Sequence, residues 1–294
     1  MSLLEAVILG LIQGITEFVP VSSSGHLAIA ESLLDIEKDS GILFEVLLHC
    51  GTLFAVFCVF QSDIFRIIAE LIHIIRDVWQ NLKNYIYDKV HETENCKYKK
   101  LLYNNYRSLA VSLILSTIAA VVVGYLLKPV VEKMSFSLLT VGLGFWITSV
   151  MLLVVDCWNY GTHIPKDITW KQAIVLGICQ GFGTFPGISS LGITLTCGLL
   201  LGFKKSFAIR YAILLSIPTT IGAMVMECSQ FTAASMSLVS VLIYITGMIA
   251  AAIAGYFCIR YMLKIVQKRG FRLFSIYSLI MGIAAIACYF QINS

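Results

Sequence analysis

The chain has 294 residues, of which 58% are hydrophobic and 13% charged, with a formal net charge of +4 and a mean hydropathy of +0.86. Soluble domains carry about one quarter charged residues, so an ordinary water-soluble enzyme is excluded. The small net charge gives no basic surface for nucleic acid, and the partner it implies is a membrane.

In chain order, the first stretch is residues 9–27, LGLIQGITEFVPVSSSGHL, an apolar segment that carries Gln13, Glu17, Pro20, Ser22, Ser23, Ser24, Gly25 and His26. A carboxylate, hydroxyls and an imidazole are expensive in lipid and point to a site rather than a plain span. The N-terminus lacks a basic region and holds Glu5 and Glu17, so it does not read as a removable signal peptide. A polar segment, 31–40, leads to the first clear span, 42–60, with Glu45 and His49 near its start. Residues 61–107 form a charged amphipathic insert. Spans at 108–127 and 136–156 follow, joined by a turn at 128–134. After a polar linker, 157–170, a second interrupted segment occupies 171–203. Three more spans run over 207–228, 236–258 and 273–290, with a basic linker at 258–272. The nine cysteines are odd in number, and six of them (Cys50, Cys58, Cys179, Cys197, Cys258, Cys288) fall in apolar runs, where they read as small buried hydrophobes.

The expected fold is therefore all-α and polytopic, with about six transmembrane helices plus two re-entrant broken segments. With both segments returning to the side they enter from, one side of the membrane holds all but three of the 21 Lys and Arg, the exceptions being Lys38, Lys128 and Lys133. The rich side is then cytoplasmic and both termini lie outside. The whole chain reads as one membrane domain in two repeats, about 1–156 and 157–294. Residues 9–25 align without gaps onto 176–192, LGICQGFGTFPGISSLG, with eight of seventeen positions identical, among them Gln13/Gln180, Ser22/Ser189 and Ser23/Ser190. Chance would give roughly one or two. Entering from opposite sides, the two copies make an inverted-topology repeat whose breaks meet near the midplane.

Each copy reads as helix, Pro or Pro-Gly break, serines, glycine, helix. The serines sit where N-caps belong, and two helix N-termini facing one another in a low-dielectric site would hold a phosphate or diphosphate. Gln13 and Glu17 are four apart and share a helix face. Glu17 is placed to bind a divalent cation or to accept a proton, and His26 to activate a serine, attack phosphorus or protonate a leaving phosphate. Glu45 and His49 form another i, i+4 pair that would support the site from behind, and Thr194 lies one turn after Ser190.

These residues resemble the undecaprenyl-diphosphate phosphatases, the bacitracin-resistance family of integral membrane enzymes, over essentially the whole chain. The family's (E/Q)xxxE and PVSSxGH motifs appear as Gln13, Glu17, Pro20, Val21, Ser22, Ser23, Gly25 and His26. FEV…G appears as Phe44, Glu45, Val46 and Gly51, LLSIP as Leu214, Leu215, Ser216, Ile217 and Pro218, and FxxY…G as Phe274, Tyr277 and Gly282. The resemblance implies hydrolysis of a polyprenyl diphosphate lipid to the monophosphate in a bacterial cell membrane, at a site facing outside, with Mg2+ or Ca2+ as cofactor. By position, Glu17 with Gln13 would serve the metal and catalysis. Ser23 or His26 would be nucleophile or acid/base. Gln13, Ser22, Ser24, Gly25, Gly187, Ser189, Ser190 and Thr194 would bind substrate. The second family motif, PGxSRSxxT, here reads PGISSLGIT, so its Arg is Ser190 and the next Ser is Leu191. Arg210, before LLSIP, is the expected substitute, and Ser278 follows Tyr277 where relatives often have Arg. A polyprenyl-phosphate flippase and a weakened paralogue stay open beside the phosphatase, as does a homodimer.

Overall fold

The first helix starts where the sequence supplies its cap. The Ser2 hydroxyl accepts from the Glu5 amide at 3.3 Å while the Ser2 amide donates to the Glu5 carboxylate at 2.9 Å, a capping box that satisfies two otherwise orphan N–H groups. The same device opens the helix that starts at Trp170, where Thr169 and Gln172 exchange the equivalent bonds at 3.3 and 2.9 Å. The structure, a computed structural model, describes residues 1–36, 41–92, 97–134, 137–228 and 237–293. These hold ten α-helices: α1 (Leu3–Thr16), α2 (Ser23–Leu33), α3 (Gly41–His91), α4 (Asn105–Met134), α5 (Leu138–Asp156), α6 (Trp170–Phe182), α7 (Ser190–Leu200), α8 (Lys205–Cys228), α9 (Leu238–Arg269) and α10 (Arg272–Asn293).

Six of them, α3, α4, α5, α8, α9 and α10, are long and apolar enough to cross a membrane. The protein is thus an all-α, multi-pass membrane protein, as the composition requires. The other four form two short pairs: α1 and α2 have 14 and 11 residues, α6 and α7 have 13 and 11. At 1.5 Å per residue the longest is about 21 Å, short of a hydrocarbon core of about 30 Å.

The structure corrects several boundaries. Residues 61–91 are not a separate insert but the continuation of α3, a 51-residue helix kinked at Phe60 (φ −108°, ψ 17°). No Gly or Pro falls between Thr52 and His91 to stop it. The expected turn at 128–134 is the last part of α4, which runs on through Pro129. A proline inside a helix forfeits one backbone bond and bends the rod without ending it here. The basic linker at 258–272 is largely the end of α9, which stops at Gly270 (φ 77°). Lys38, Phe136 and Met236 lie outside the described residues, as do the side chains of Lys268 and Arg269.

Small residues set the packing. α1 lies on α9 through Gly10 and Gly14, where a Cβ would stand 2.3 and 2.4 Å from the carbonyl oxygens of Gly247 and Ala251. α6 lies on α4 through the aligned pair Gly177 and Gly181, where a Cβ would stand 2.2 Å from the Ser116 carbonyl oxygen and 2.6 Å from Val123 Cβ. Close backbone approach of this kind is how helices associate without a hydrophobic driving force between them. The largest buried apolar cluster joins Phe18 of the first break to Leu191 and Leu195 of α7 and to Tyr211 and Leu214 of α8. It holds the first break and α7 against α8.

Candidate active site

The first break spans residues 17–22. α1 ends as the Glu17 amide donates to the Gln13 carbonyl at 2.9 Å, and α2 begins after Ser22, whose hydroxyl accepts from the Gly25 amide at 3.2 Å. Ser22 has φ 69°, a left-handed conformation unusual for a residue with a Cβ. It is held there by the His26 ring, whose Nδ1 donates to the Ser22 carbonyl at 2.6 Å. A carbonyl only accepts, so Nδ1 carries the proton, and in the neutral ring Nε2 accepts from the Tyr277 hydroxyl at 2.8 Å. His26 is buried, edge-on to Phe145 with ring centroids 5.0 Å apart.

Glu17 is the focus of the break. Its Oε2 accepts from the Ser23 hydroxyl at 2.7 Å and from the Gln13 side-chain amide at 3.0 Å. The same Gln13 nitrogen stands 3.3 Å from His49 Nδ1. Gln13 is 1% exposed, yet its Oε1 has no hydrogen-bond partner among the described residues.

The second break, 183–189, is built alike but carries no acid. Ser189 caps α7 by accepting from the Gly192 amide at 3.0 Å. Gly187 has φ 81°; its carbonyl accepts from the Thr148 hydroxyl, which in turn accepts from the Ser189 amide, both at 3.0 Å. Gln180 donates to Thr219 at 3.2 Å and accepts from the Thr194 hydroxyl. The two breaks touch: a Cβ on Gly25 would lie 3.0 Å from Gly187 Cα, and one on Gly192 would lie 3.5 Å from Pro20 Cβ.

Both breaks open on one cavity of about 660 Å3. Of the residues singled out from sequence, Gln13, Glu17, Ser22, Ser23, Ser24, Glu45, His49, Ser189 and Ser190 line it. Gly25, His26, Gly187 and Thr194 do not; they lie behind the lining and shape the breaks. Arg210 is the clear correction. It pairs with Asp63 and bonds the Tyr106 hydroxyl at 3.1 Å, away from the cavity, because it sits at the start of α8 while the cavity meets that helix from Thr219 onward. It does not stand in for an arginine at Ser190.

Lys128 and Glu227, which the motifs do not single out, also line the cavity. Lys128 was assigned to a turn, whereas α4 carries it one helical turn beyond Gly124, which faces Thr184 of the second break. Glu227 was visible as a lone carboxylate ending an apolar helix, a residue that membrane energetics alone would flag; its Oε2 is buried and without a partner among the described residues. Among the described residues, Lys128 is the one Lys or Arg that lines the cavity, against the carboxylates of Glu17, Glu31, Glu45, Glu132 and Glu227.

A divalent cation fits part of this donor set. Glu17 and the unpartnered Gln13 Oε1 are hard oxygen donors on one wall, and a cation that takes its remaining ligands from phosphate and water needs no more than one or two protein oxygens. Among the described residues no group of three His, Cys, Asp or Glu is arranged to hold a metal by itself.

The packing of the second break against α5 gives a stability prediction. Gly187→Ala would put a Cβ 2.0 Å from the Val141 carbonyl oxygen at a positive φ. It is expected to destabilise the fold by about 3 kcal/mol or more, read as a lowered melting temperature in detergent and a lost monodisperse peak in gel filtration. An unchanged melting temperature would show that Gly187 does not pack against α5 there.

Six helices long and apolar enough to cross a membrane, with two interrupted pairs whose serine-capped N-termini line one cavity, define a polytopic all-α membrane protein. The chain belongs to the family described as Bacitracin resistance protein BacA, whose sequence model matches residues 6–284. It is similar to the undecaprenyl-diphosphatase of Alkaliphilus metalliredigens, 34% identical over 96% of this chain and 97% of that protein. It is also similar to the undecaprenyl-diphosphatase of Methanosphaera stadtmanae, 36% identical over 97% of this chain and 98% of that protein.

Proposed function

We propose that the chain dephosphorylates undecaprenyl diphosphate to undecaprenyl phosphate, returning a cell-wall lipid carrier to use. The observation that carries this is the Ser23 hydroxyl donating to Glu17 at 2.7 Å on the wall of a cavity shared by two helix N-termini. In this reading Glu17 takes the Ser23 proton as the serine oxygen bonds to the terminal phosphorus. The bridging P–O bond breaks and its electron pair leaves with the prenyl monophosphate. Glu17 gives that proton to the departing monophosphate oxygen; water then cleaves the phosphoserine, Glu17 accepting a proton from the water and returning it to the Ser23 oxygen as inorganic phosphate leaves. The N-termini of α2 and α7 face the phosphate oxygens and stabilise their charge. Lys128 adds the fixed positive charge that the cavity offers. Glu17 and Gln13 would hold a divalent cation such as Mg2+ or Ca2+, which when bound would neutralise charge on the phosphate oxygens.

His26 has a positioning role in this scheme. Both ring nitrogens are engaged, one on the Ser22 carbonyl and one on Tyr277. Its job is to hold the strained backbone that aims Ser23. Of the two nucleophile candidates left open by sequence, the geometry favours Ser23.

The same reading makes the two short pairs re-entrant and related by inverted topology. Their lengths, matched capping boxes and matched glycine contacts support it, with α1 on α9 answering α6 on α4. The cavity then opens on the cation-poor side, outside the bacterial membrane. The test is phosphate release from a C15 or C55 prenyl diphosphate by the purified chain with Mg2+ or Ca2+. Release lost on chelation and restored by metal is the expected result. No release above a detergent blank would overturn the reading, and lipid movement across liposomes without release would replace it with a flippase.

A further inference from the structure

Past the kink at Phe60, α3 carries an apolar stripe that nothing in the described chain covers. Ile68, Ile72, Ile75, Trp79, Leu82 and Ile86 recur at alternating steps of four and three, and each is exposed, from 46% for Leu82 to 70% for Ile75. That spacing puts all six on one helix face. Charge is segregated around them. Every acid on this stretch of helix lies on the opposite face and is bonded there. Asp63 pairs with Arg210 and accepts from Tyr106 at 3.2 Å. Glu70 and Asp77 both take Arg107 at 2.8 Å, and Asp77 also takes Lys99 at 3.1 Å. Asp88 accepts from the Tyr98 hydroxyl at 3.0 Å. The cations flanking the stripe, Arg76, Lys83 and Lys89, are exposed, and among the described residues none of the three forms an ion pair. Lys83 stands 5.5 Å over the Trp79 ring.

We propose that this half of α3 docks along the surface of a bilayer containing anionic lipid, its apolar stripe in the acyl boundary and Arg76, Lys83 and Lys89 on the headgroups. An apolar face with Trp at its centre, flanked by unpaired cations, has the chemistry of an interfacial helix. The stripe begins eight residues past Phe60, whose kink lets the second half of the helix take its own direction. A second copy of the chain fits less well. Two stripes face to face would bring Arg76 and Lys83 of each helix to the same seam, where like charges repel. The partner segment 97–107 occupies the acidic face, so it locks the helix in register and leaves the stripe free.

The test uses the full chain, one copy per lipid nanodisc, and reads Trp79 as the difference between wild type and Trp79→Phe. In discs with about one third phosphatidylglycerol, acrylamide quenching of Trp79 is expected to be about threefold weaker than in detergent. Raising salt to about 1 M, where the Debye length falls to about 3 Å, should reverse part of that protection. So should the double variant Arg76→Glu, Lys83→Glu. Equal quenching in anionic discs and detergent would overturn the proposal, as would full protection in purely zwitterionic discs with no salt dependence. Protection that appears only in vesicles and grows with the protein-to-lipid ratio would overturn it in favour of a second copy. The readout is independent of phosphate release, so it stands or falls apart from the proposed activity.

Discussion

Glu17→Gln reduces phosphate release from a prenyl diphosphate by about three orders of magnitude or more, with the melting temperature held within a few degrees. Glutamine keeps the size of the side chain, and its carbonyl oxygen can still accept from the Ser23 hydroxyl, now 2.7 Å from Glu17 Oε2. What it loses is the capacity to take the proton and the negative charge that a cation would meet. The packing around the first break is therefore preserved while its chemistry is removed. Single-turnover phosphate release on the purified variant, beside its thermal unfolding in the same detergent, separates the two. A variant that keeps more than about a tenth of wild-type turnover would remove Glu17 from the reaction.

Ser190→Arg raises turnover, by about tenfold or more in kcat/KM. Ser190 is the first residue of α7 and lines the cavity. A guanidinium there would add a planar, permanently charged donor to a space whose described lining offers one Lys against five carboxylates. The gain should fall on kcat more than KM, because charge on the transferring phosphoryl oxygens is greatest in the transition state. No gain, with the protein folded, would show that Lys128 and the two helix ends already supply what the reaction uses. In that case Lys128→Met should be the more damaging change.

Much of the fold was legible because lipid leaves few options. Apolar runs of span length announced α4, α5, α8 and α10, and the aligned Gln, Gly and Ser marked the two broken segments that line the cavity. The boundaries that failed did so for a shared reason. Charge was taken as the end of a helix, but backbone hydrogen bonding continues through charged residues when no Gly or Pro intervenes, as in α3 beyond Phe60 and α9 beyond Cys258. At 128–134 the expected turn is helix, which continues through Pro129. Within the site, residues close in sequence to a break were placed well, since local geometry puts them there. Arg210 and Lys128 were exchanged in importance because their positions depend on how far along α8 and α4 the cavity reaches, which is a tertiary fact. The role of His26 changed similarly: its partner Tyr277 lies 251 residues away in sequence.

The matched caps at Ser2 and Thr169 and the matched serines at 23 and 190 mean that the scaffold treats its two halves almost as equals. Of the nine aligned positions that differ, one carries a carboxylate: the first half has Glu17 where the second has Thr184, whose hydroxyl donates to the Gly181 carbonyl at 2.8 Å. A diphosphate is itself nearly symmetric about its bridging oxygen. A pseudo-symmetric receptor would seat it either way round. In the mechanism proposed above, the carboxylate at residue 17, with Thr184 at the aligned place, decides which phosphorus reacts and which is only held, so the contrast between these two residues sets the polarity of the bound lipid.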